Sequence, residues 1–213
     1  METKFTEQES LAVISEMIKQ ARNNFQKGSG TNFIFNGILV SITAILNVVL
    51  AFIFIKSGIN ANYSFWVWCL MIPGTFVNRL IDKKVERTAM VKTHIGSIIS
   101  SIWNGFGISI CVFLATIFTI GFGKEFYAVF YLINPVILTL IGLAEFSTAK
   151  SCRFKPFLYG AIIMWVGAVV SAVVVAMWIW EPVFIQFFIL AICMIFGFVM
   201  PGYQLNELAK KDV

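Results

Sequence analysis

Six long apolar runs constrain what this chain can form. A transmembrane helix needs ~20 predominantly apolar residues, and each run is about that long or longer. The runs cover approximately residues 32–56, 64–81, 95–120, 125–147, 156–180 and 182–203. The composition agrees, because 59% of the residues are apolar and 13% are charged, against roughly 45–50% and about 25% in soluble domains. We therefore predict an all-α integral membrane protein with a six-helix transmembrane domain over residues 32–203.

The lysines and arginines predict the orientation of these helices. Of the 16 such residues, 14 fall on one side of the predicted membrane and 2, Lys56 and Lys124, fall on the other. The side rich in basic residues is cytoplasmic by the positive-inside rule. Both termini are then cytoplasmic. The basic loops predict contact with anionic lipid headgroups at the cytoplasmic face, so the net charge of +5 does not predict a nucleic-acid partner.

The stretch before the first run predicts an amphipathic helix over residues 5–27. Its apolar side chains recur at spacings of three and four and share one face, and they are Leu11, Ile14, Ile18, Ala21 and Phe25. Gly28-Ser29-Gly30 is predicted to end this helix. Residues 1–31 are thus a cytoplasmic helix with a Gly-Ser linker, and residues 204–213 a cytoplasmic tail. The helix either lies on the membrane or under the bundle, or it binds a protein partner or a second copy of the chain.

A repeated pattern divides the spans into three hairpins, 32–81, 95–147 and 156–203. An aromatic residue is followed by glycine two positions later and by serine four positions after that, and a second glycine follows 35 or 37 residues after the first. The small residues of the three copies are Gly37, Ser41 and Gly74; Gly105, Ser109 and Gly142; and Gly167, Ser171 and Gly202. Small residues one turn apart let helices approach closely, so each hairpin is predicted to pack glycine against glycine. Similarly oriented hairpins also predict a pseudo-threefold axis along the membrane normal.

Two charged residues at the ends of the runs are candidate functional groups. Glu145 is the only carboxylate clearly inside a run, near the predicted cytoplasmic end of the fourth helix, and Arg79 occupies the matching end of the second. The structural expectation is that they anchor at the interface by snorkelling or pair across the bundle, and the functional alternative is a gate or substrate contact. The lack of charge at mid-membrane depth argues against a proton-coupled pump or an ion-driven transporter.

Asparagine side chains supply other polar groups within the runs. Asn36, Asn104 and Asn134 either line a path for a neutral solute or join helices by hydrogen bonds. Asn36 and Asn104 hold equivalent positions in two copies of the repeat, where the third copy has Val166. Pro135 follows Asn134 and is predicted to break the fourth helix, and such a break can line a cavity.

No motif in the sequence points to catalysis or to a cofactor. It lacks Walker, Gly-x-Ser-x-Gly, His-Glu-x-x-His and dinucleotide-binding signatures. The four cysteines have no Cys-x-x-Cys spacing, and the single histidine, His94, has no cluster of ligands near it. We therefore expect neither a metal site nor a disulfide framework, and we predict a protein that is not an enzyme.

The segments Ser10 to Phe33 and Trp103 to Gly107 resemble those of a family of uncharacterised six-helix inner-membrane proteins from Bacteroides-type bacteria. This resemblance implies a multi-pass protein of the bacterial inner membrane and implies no activity. Two functions remain: a facilitative conduit or sensor for a small solute along the pseudo-threefold axis, and a non-transporting membrane scaffold or regulatory partner. A continuous polar path favours the first, and a tightly packed apolar centre favours the second.

Overall fold

The computed structural model describes residues 7–88, 94–123, 126–177 and 182–211. These residues form helices joined by short turns, and no β-strand occurs among them. The predicted all-α fold is confirmed for this part of the chain.

The first helix, α1, runs without interruption over the 50 residues Glu7–Lys56. The helix end predicted at Gly28-Ser29-Gly30 is therefore wrong. Glycine inside a helix costs only about 1 kcal/mol relative to alanine, and Gly30 has a packing role that offsets this cost. A Cβ at Gly30 would collide with the carbonyl oxygen of Gly202, in the last helix of the chain.

The amphipathic face predicted for residues 5–27 stays a prediction. Leu11 is exposed. The other four side chains of the face lie outside the described set, and they are those of Ile14, Ile18, Ala21 and Phe25.

The helices after α1 follow the remaining apolar runs. A 3₁₀ helix (Ala61–Leu70) continues into α2 (Met71–Thr88), and α3 (His94–Gly123) comes next. A second 3₁₀ helix (Tyr127–Leu132) continues into α4 (Ile133–Cys152), and α5 (Lys155–Ala176) comes next. The last part consists of α6 (Pro182–Cys193), a π-helical segment (Met194–Val199) and α7 (Met200–Lys211).

Six stretches of these helices are long and apolar enough to cross a membrane, as predicted. We call them spans 1 to 6, and they are Gly30–Lys56, Ala61–Ile81, Ile95–Gly123, Ala128–Cys152, Lys155–Ala176 and Val183–Leu208. Because length and composition are what the bilayer demands of a span, the chain is a membrane protein by these two criteria.

Four of the spans form the core of the bundle and two lie outside it. In the most apolar stretch of each span, 44% of the residues are buried in spans 4 and 6, but only 11% in spans 2 and 3. Span 6 packs between α1 and α5, α4 packs against both α5 and α3, and span 2 lies along α1. Followed from helix to helix, the contacts run in the order 2-1-6-5-4-3.

The described residues depart from the predicted threefold arrangement. The two helices of each predicted hairpin pack together, as do spans 4 and 5 and spans 6 and 1. Threefold symmetry would require an equivalent contact between spans 2 and 3, and the described residues of these spans form no comparable contact. The repeat in the sequence stays a prediction, because its spacing does not determine how the hairpins are arranged.

Phe33 ties four spans together. Its ring centroid lies 4.6 Å from that of Phe157, 5.2 Å from that of Phe198 and 5.4 Å from that of Trp103. Aromatic pairs at such distances in tilted or edge geometry add to the stabilisation from packing. Because Trp103 belongs to α3, this cluster attaches the otherwise peripheral span 3 to the core.

Candidate functional site

The three asparagines of the predicted solute path lie in three separate environments. Asn36 is half-buried and accepts a hydrogen bond from Asn78 Nδ2 at 3.0 Å, which joins α1 to α2. Asn104 is exposed on the outside of α3, and Asn134 is buried. The structure therefore does not bring these asparagines together along one path.

Asn134 joins helices α4, α5 and α6. Its Nδ2 donates to the backbone oxygen of Gln186 at 2.5 Å and to Ser171 Oγ at 3.3 Å. Gln186 in turn donates from Nε2 to the backbone oxygen of Tyr131 at 3.0 Å. This network is the interhelical role that the sequence left open for the amides.

Pro135 does not break a helix. It lies in the first turn of α4, where a backbone N–H has no partner within the helix, so proline is tolerated. The break predicted in the middle of the fourth helix is therefore wrong. The 3₁₀ helix before α4 explains the difference, because the α-helix begins later than the apolar run does.

Apolar and polar side chains share the interior of the bundle. Leu138, Phe157, Met164 and Leu205 are fully buried, from spans 4, 5 and 6, and so are the polar side chains of Thr43, Asn47, Glu145, Thr148 and Ser171. A groove between spans 1 and 6 is also lined by apolar side chains, those of Val48, Val49, Phe52, Ile53, Phe184 and Phe188. The described lining of this groove therefore contains no polar group that could bind a hydrated solute, and neither do the positions of Leu138, Phe157, Met164 and Leu205.

The contact of paired glycines predicted within each hairpin is wrong. The atoms that an added Cβ would meet show which helix each glycine faces. Gly37 faces span 6, Gly74 and Gly202 face α1, Gly142 faces α5, and Gly167 faces α6, whereas Gly105 faces open space. Spacing along one helix defines a shared face, but it does not select the helix that packs there. The close approaches of glycine to glycine join Gly30 to Gly202 and Gly160 to Gly197 instead.

The serines of the repeat also differ from one copy to the next. Ser41 is buried, and its hydroxyl donates to the Gly37 backbone oxygen of its own helix at 2.7 Å and also to that of Ala191 in α6 at 3.2 Å. Ser171 is buried and accepts from Asn134. Ser109 is exposed and bonds only within its own helix, to the Gly105 backbone oxygen at 2.8 Å. Gly105 and Ser109 therefore do not serve the packing role that the sequence predicted for them.

A row of small residues runs along the exposed side of α3. We use the name outer face of α3 for the exposed residues Ser97, Ser101, Asn104, Gly105 and Ser109. Four of them recur every fourth position and so lie on one side of the helix. The sequence carries this signal, because Ser97 and Ser101 extend the Gly105–Ser109 pair at the same spacing, but the repeat alone did not reveal it.

Two hydroxyl groups of this face are satisfied within the helix. Ser101 Oγ donates to the Ser97 backbone oxygen at 3.0 Å, as Ser109 does to that of Gly105. Thr116 and Thr119 repeat this bond further along α3, at 2.9 and 2.8 Å. Hydroxyl groups bonded in this way can lie in a bilayer, and the small side chains of the face let another helix approach.

The predicted ion pair between Glu145 and Arg79 is not formed. Arg79 is exposed on α2, whereas Glu145 is fully buried and neither of its carboxylate oxygens has a hydrogen-bond partner among the described residues. Its position inside the bundle also rules out the expected interfacial anchoring. The sequence located Glu145 along its helix but could not show which side of the helix it occupies.

The described residues contain no group of three or more His, Cys, Asp or Glu side chains placed to hold a metal ion. Comparison with protein-family models, with curated proteins and with solved structures finds no match to this chain. The geometry of the bundle is therefore what bears on the function.

Proposed function

We propose that this multi-pass membrane protein is a non-transporting scaffold or regulatory partner, and that it binds a helix of another membrane-embedded chain along the outer face of α3. The observation that carries the proposal is the exposure of four small residues, at four-residue spacing, on a helix that is peripheral to the core. Small side chains allow close backbone contact between helices, and the packing that results drives helix association in membranes.

The separation of the three asparagines supports the same proposal. Asn134 is buried and bonds between helices, and Asn104 is exposed on the outside. An exposed amide in a membrane gains from a hydrogen-bonding partner. We further propose the bacterial inner membrane as the location, with cytoplasmic termini and with basic loops on anionic lipid headgroups.

Site-specific photocrosslinking in intact cells tests the binding. A photoreactive residue at Ser109 is expected to give a discrete protein adduct. The same residue at Val169, which is 64% exposed and at a similar distance along α5, is the matched control and is expected to give none. An adduct of twice the chain mass identifies a second copy, and any other discrete mass identifies a different partner. Adducts with lipid alone at both positions would overturn the proposal.

The interface should also respond to added bulk. Gly105→Leu is expected to reduce the Ser109 adduct at least tenfold, because the larger side chain separates the two backbones. Val166→Leu on the exposed side of α5 is expected to leave it unchanged. Uptake assays with proteoliposomes test the non-transporting part, since protein-dependent flux of any small solute would favour the conduit instead.

A further inference from the structure

Glu145 is a buried acidic group that the proposed function does not use. It lies in α4 with no exposed surface, and neither Oε1 nor Oε2 accepts a hydrogen bond from any described group. Burying an ionised carboxylate in an apolar environment costs far more free energy than burying a neutral group. A ligand that removes the negative charge would remove this cost.

The surroundings of the carboxyl group contain further acceptors. A Cβ at Gly160 of α5 would lie 3.0 Å from Glu145 Oε2, and the backbone oxygen of Gly197 approaches the same point even more closely. A carboxylate oxygen and a carbonyl oxygen thus converge on one glycine. Thr148, the buried hydroxyl one turn away, already donates to the Ala144 backbone oxygen at 2.8 Å.

Gly197 belongs to the π-helical segment Met194–Val199. Single π-helical turns are rare and are often found at functional sites. Here the segment brings its backbone against Gly160, because neither glycine has a side chain to separate them. The buried carboxyl group therefore lies where three elements meet: α4, α5 and the irregular part of span 6.

Few other titratable groups face this carboxyl group. Cys193 at the end of α6 is buried, and its thiol donates to the Ile163 backbone oxygen at 3.8 Å. The other described titratable side chains of the packed helices are exposed or only partly buried: Cys111, Tyr131, Lys150, Cys152, Arg153, Lys155, Tyr159, Tyr203 and Glu207. None of these supplies a fixed positive charge beside the carboxyl oxygens.

We propose that the Glu145 carboxyl group is a proton-binding site that controls the packing of α5 against the π-helical segment. In the protonated form, its O–H donates to a backbone carbonyl at the Gly160–Gly197 contact. When the proton leaves to water, the carboxylate lies near the Gly197 carbonyl oxygen with no hydrogen-bond donor among the described residues, and the contact is weakened. A proton fits this site because it needs one acceptor, whereas ions such as Ca²⁺ need six to eight oxygen ligands. The inference is independent of the partner proposed for α3.

Infrared pH-difference spectroscopy on the full-length protein in lipid nanodiscs tests the site. The wild type is expected to show the C=O band of a protonated carboxyl group that disappears as the pH is raised. Glu145→Gln should lose this band, while Glu207→Gln, which changes an exposed acid of α7, should retain it. A band of the same amplitude in Glu145→Gln, or no such band in the wild type, would overturn the proposal.

A stability measurement tests the effect on packing. Glutamine is neutral and can donate to the same carbonyl groups, so Glu145→Gln is expected to fold and to lose the pH dependence of thermal unfolding that the wild type shows. Equal pH dependence in both proteins would contradict the proposed control. Replacing sodium with choline at fixed pH should change nothing, and a sodium-dependent shift that Glu145→Gln abolishes would show that a metal cation, not a proton, is the ligand.

Discussion

Asn134 connects three helices through one amide group, and its contribution can be measured. Asn134→Leu removes the hydrogen bonds to the Gln186 backbone and to Ser171, so we expect it to destabilise the bundle by about 0.6 to 2 kcal/mol, the range for interhelical hydrogen bonds in membranes. Reversible unfolding in mixed micelles measures this change. Ser109→Ala is the control, because that hydroxyl bonds only within its own helix and its loss should change stability by less than about 0.5 kcal/mol. Equal effects would contradict the assigned role.

At the scale of single residues, the sequence identified the polar groups inside the apolar runs but not the surroundings of each side chain. Asn36, Asn104, Asn134 and Glu145 were all recognisable as unusual inside apolar runs. In a membrane helix, however, every side of the helix is apolar, so hydrophobic periodicity does not separate the side that faces lipid from the side that faces the bundle. Asn104 was therefore a candidate for a central path or an interhelical bond although it is exposed, and Glu145 a candidate for the interface although it is buried.

Glycine contacts determine which helices approach most closely, and a pair of alanine substitutions can show this. Gly160→Ala would place a Cβ against the Gly197 backbone oxygen. Backbone cannot move aside easily, so we expect a loss of roughly 1–3 kcal/mol, as for other overpacked sites. Gly107→Ala has open space around it and should be neutral or stabilise by up to about 1 kcal/mol, since alanine favours the helix. Unfolding in mixed micelles measures both, and similar losses in the two variants would contradict the tight contact.

At the scale of helices, the sequence correctly predicted the features that depend only on neighbouring residues along the chain. The six spans were predictable because apolar length along the chain is itself the requirement for crossing a bilayer. The helix end at Gly28-Ser29-Gly30 was predicted wrongly, because whether a glycine ends a helix depends on what packs against it. Gly30 lies against Gly202, which is far away in the sequence. The predicted helix partners were wrong for the same reason. Gly37 was predicted to pack against span 2, but it faces span 6.

Among the six described spans of the whole molecule, spans 2 and 3 are the least buried, and they stand at the two ends of the contact order 2-1-6-5-4-3. Chain order alone suggested three equal hairpins, and the arrangement departs from this because the glycine-to-glycine contacts join span 1 to span 6 and span 5 to span 6. Spans 2 and 3 thus have most of their surface free to contact lipid or another protein, as the proposed scaffold role requires. Contacts of this kind cannot be read from one sequence, because they depend on the face that each helix leaves exposed.

Orientation in the membrane is a property of the entire chain, and it follows from charge. Because 14 of the 16 lysines and arginines lie on one predicted side, that side should stay in the cytoplasm. Single cysteines in a cysteine-free background test this at the exposed positions Ser15 and Ser57 and at Lys211, the last residue of α7. A membrane-impermeant maleimide should label Ser57→Cys in intact spheroplasts, but Ser15→Cys and Lys211→Cys only after the membrane is opened. Labelling of Ser15→Cys and Lys211→Cys alone in intact spheroplasts would mean the reverse orientation. Labelling of just one of these two would mean an odd number of spans, since six spans keep the two termini on the same side.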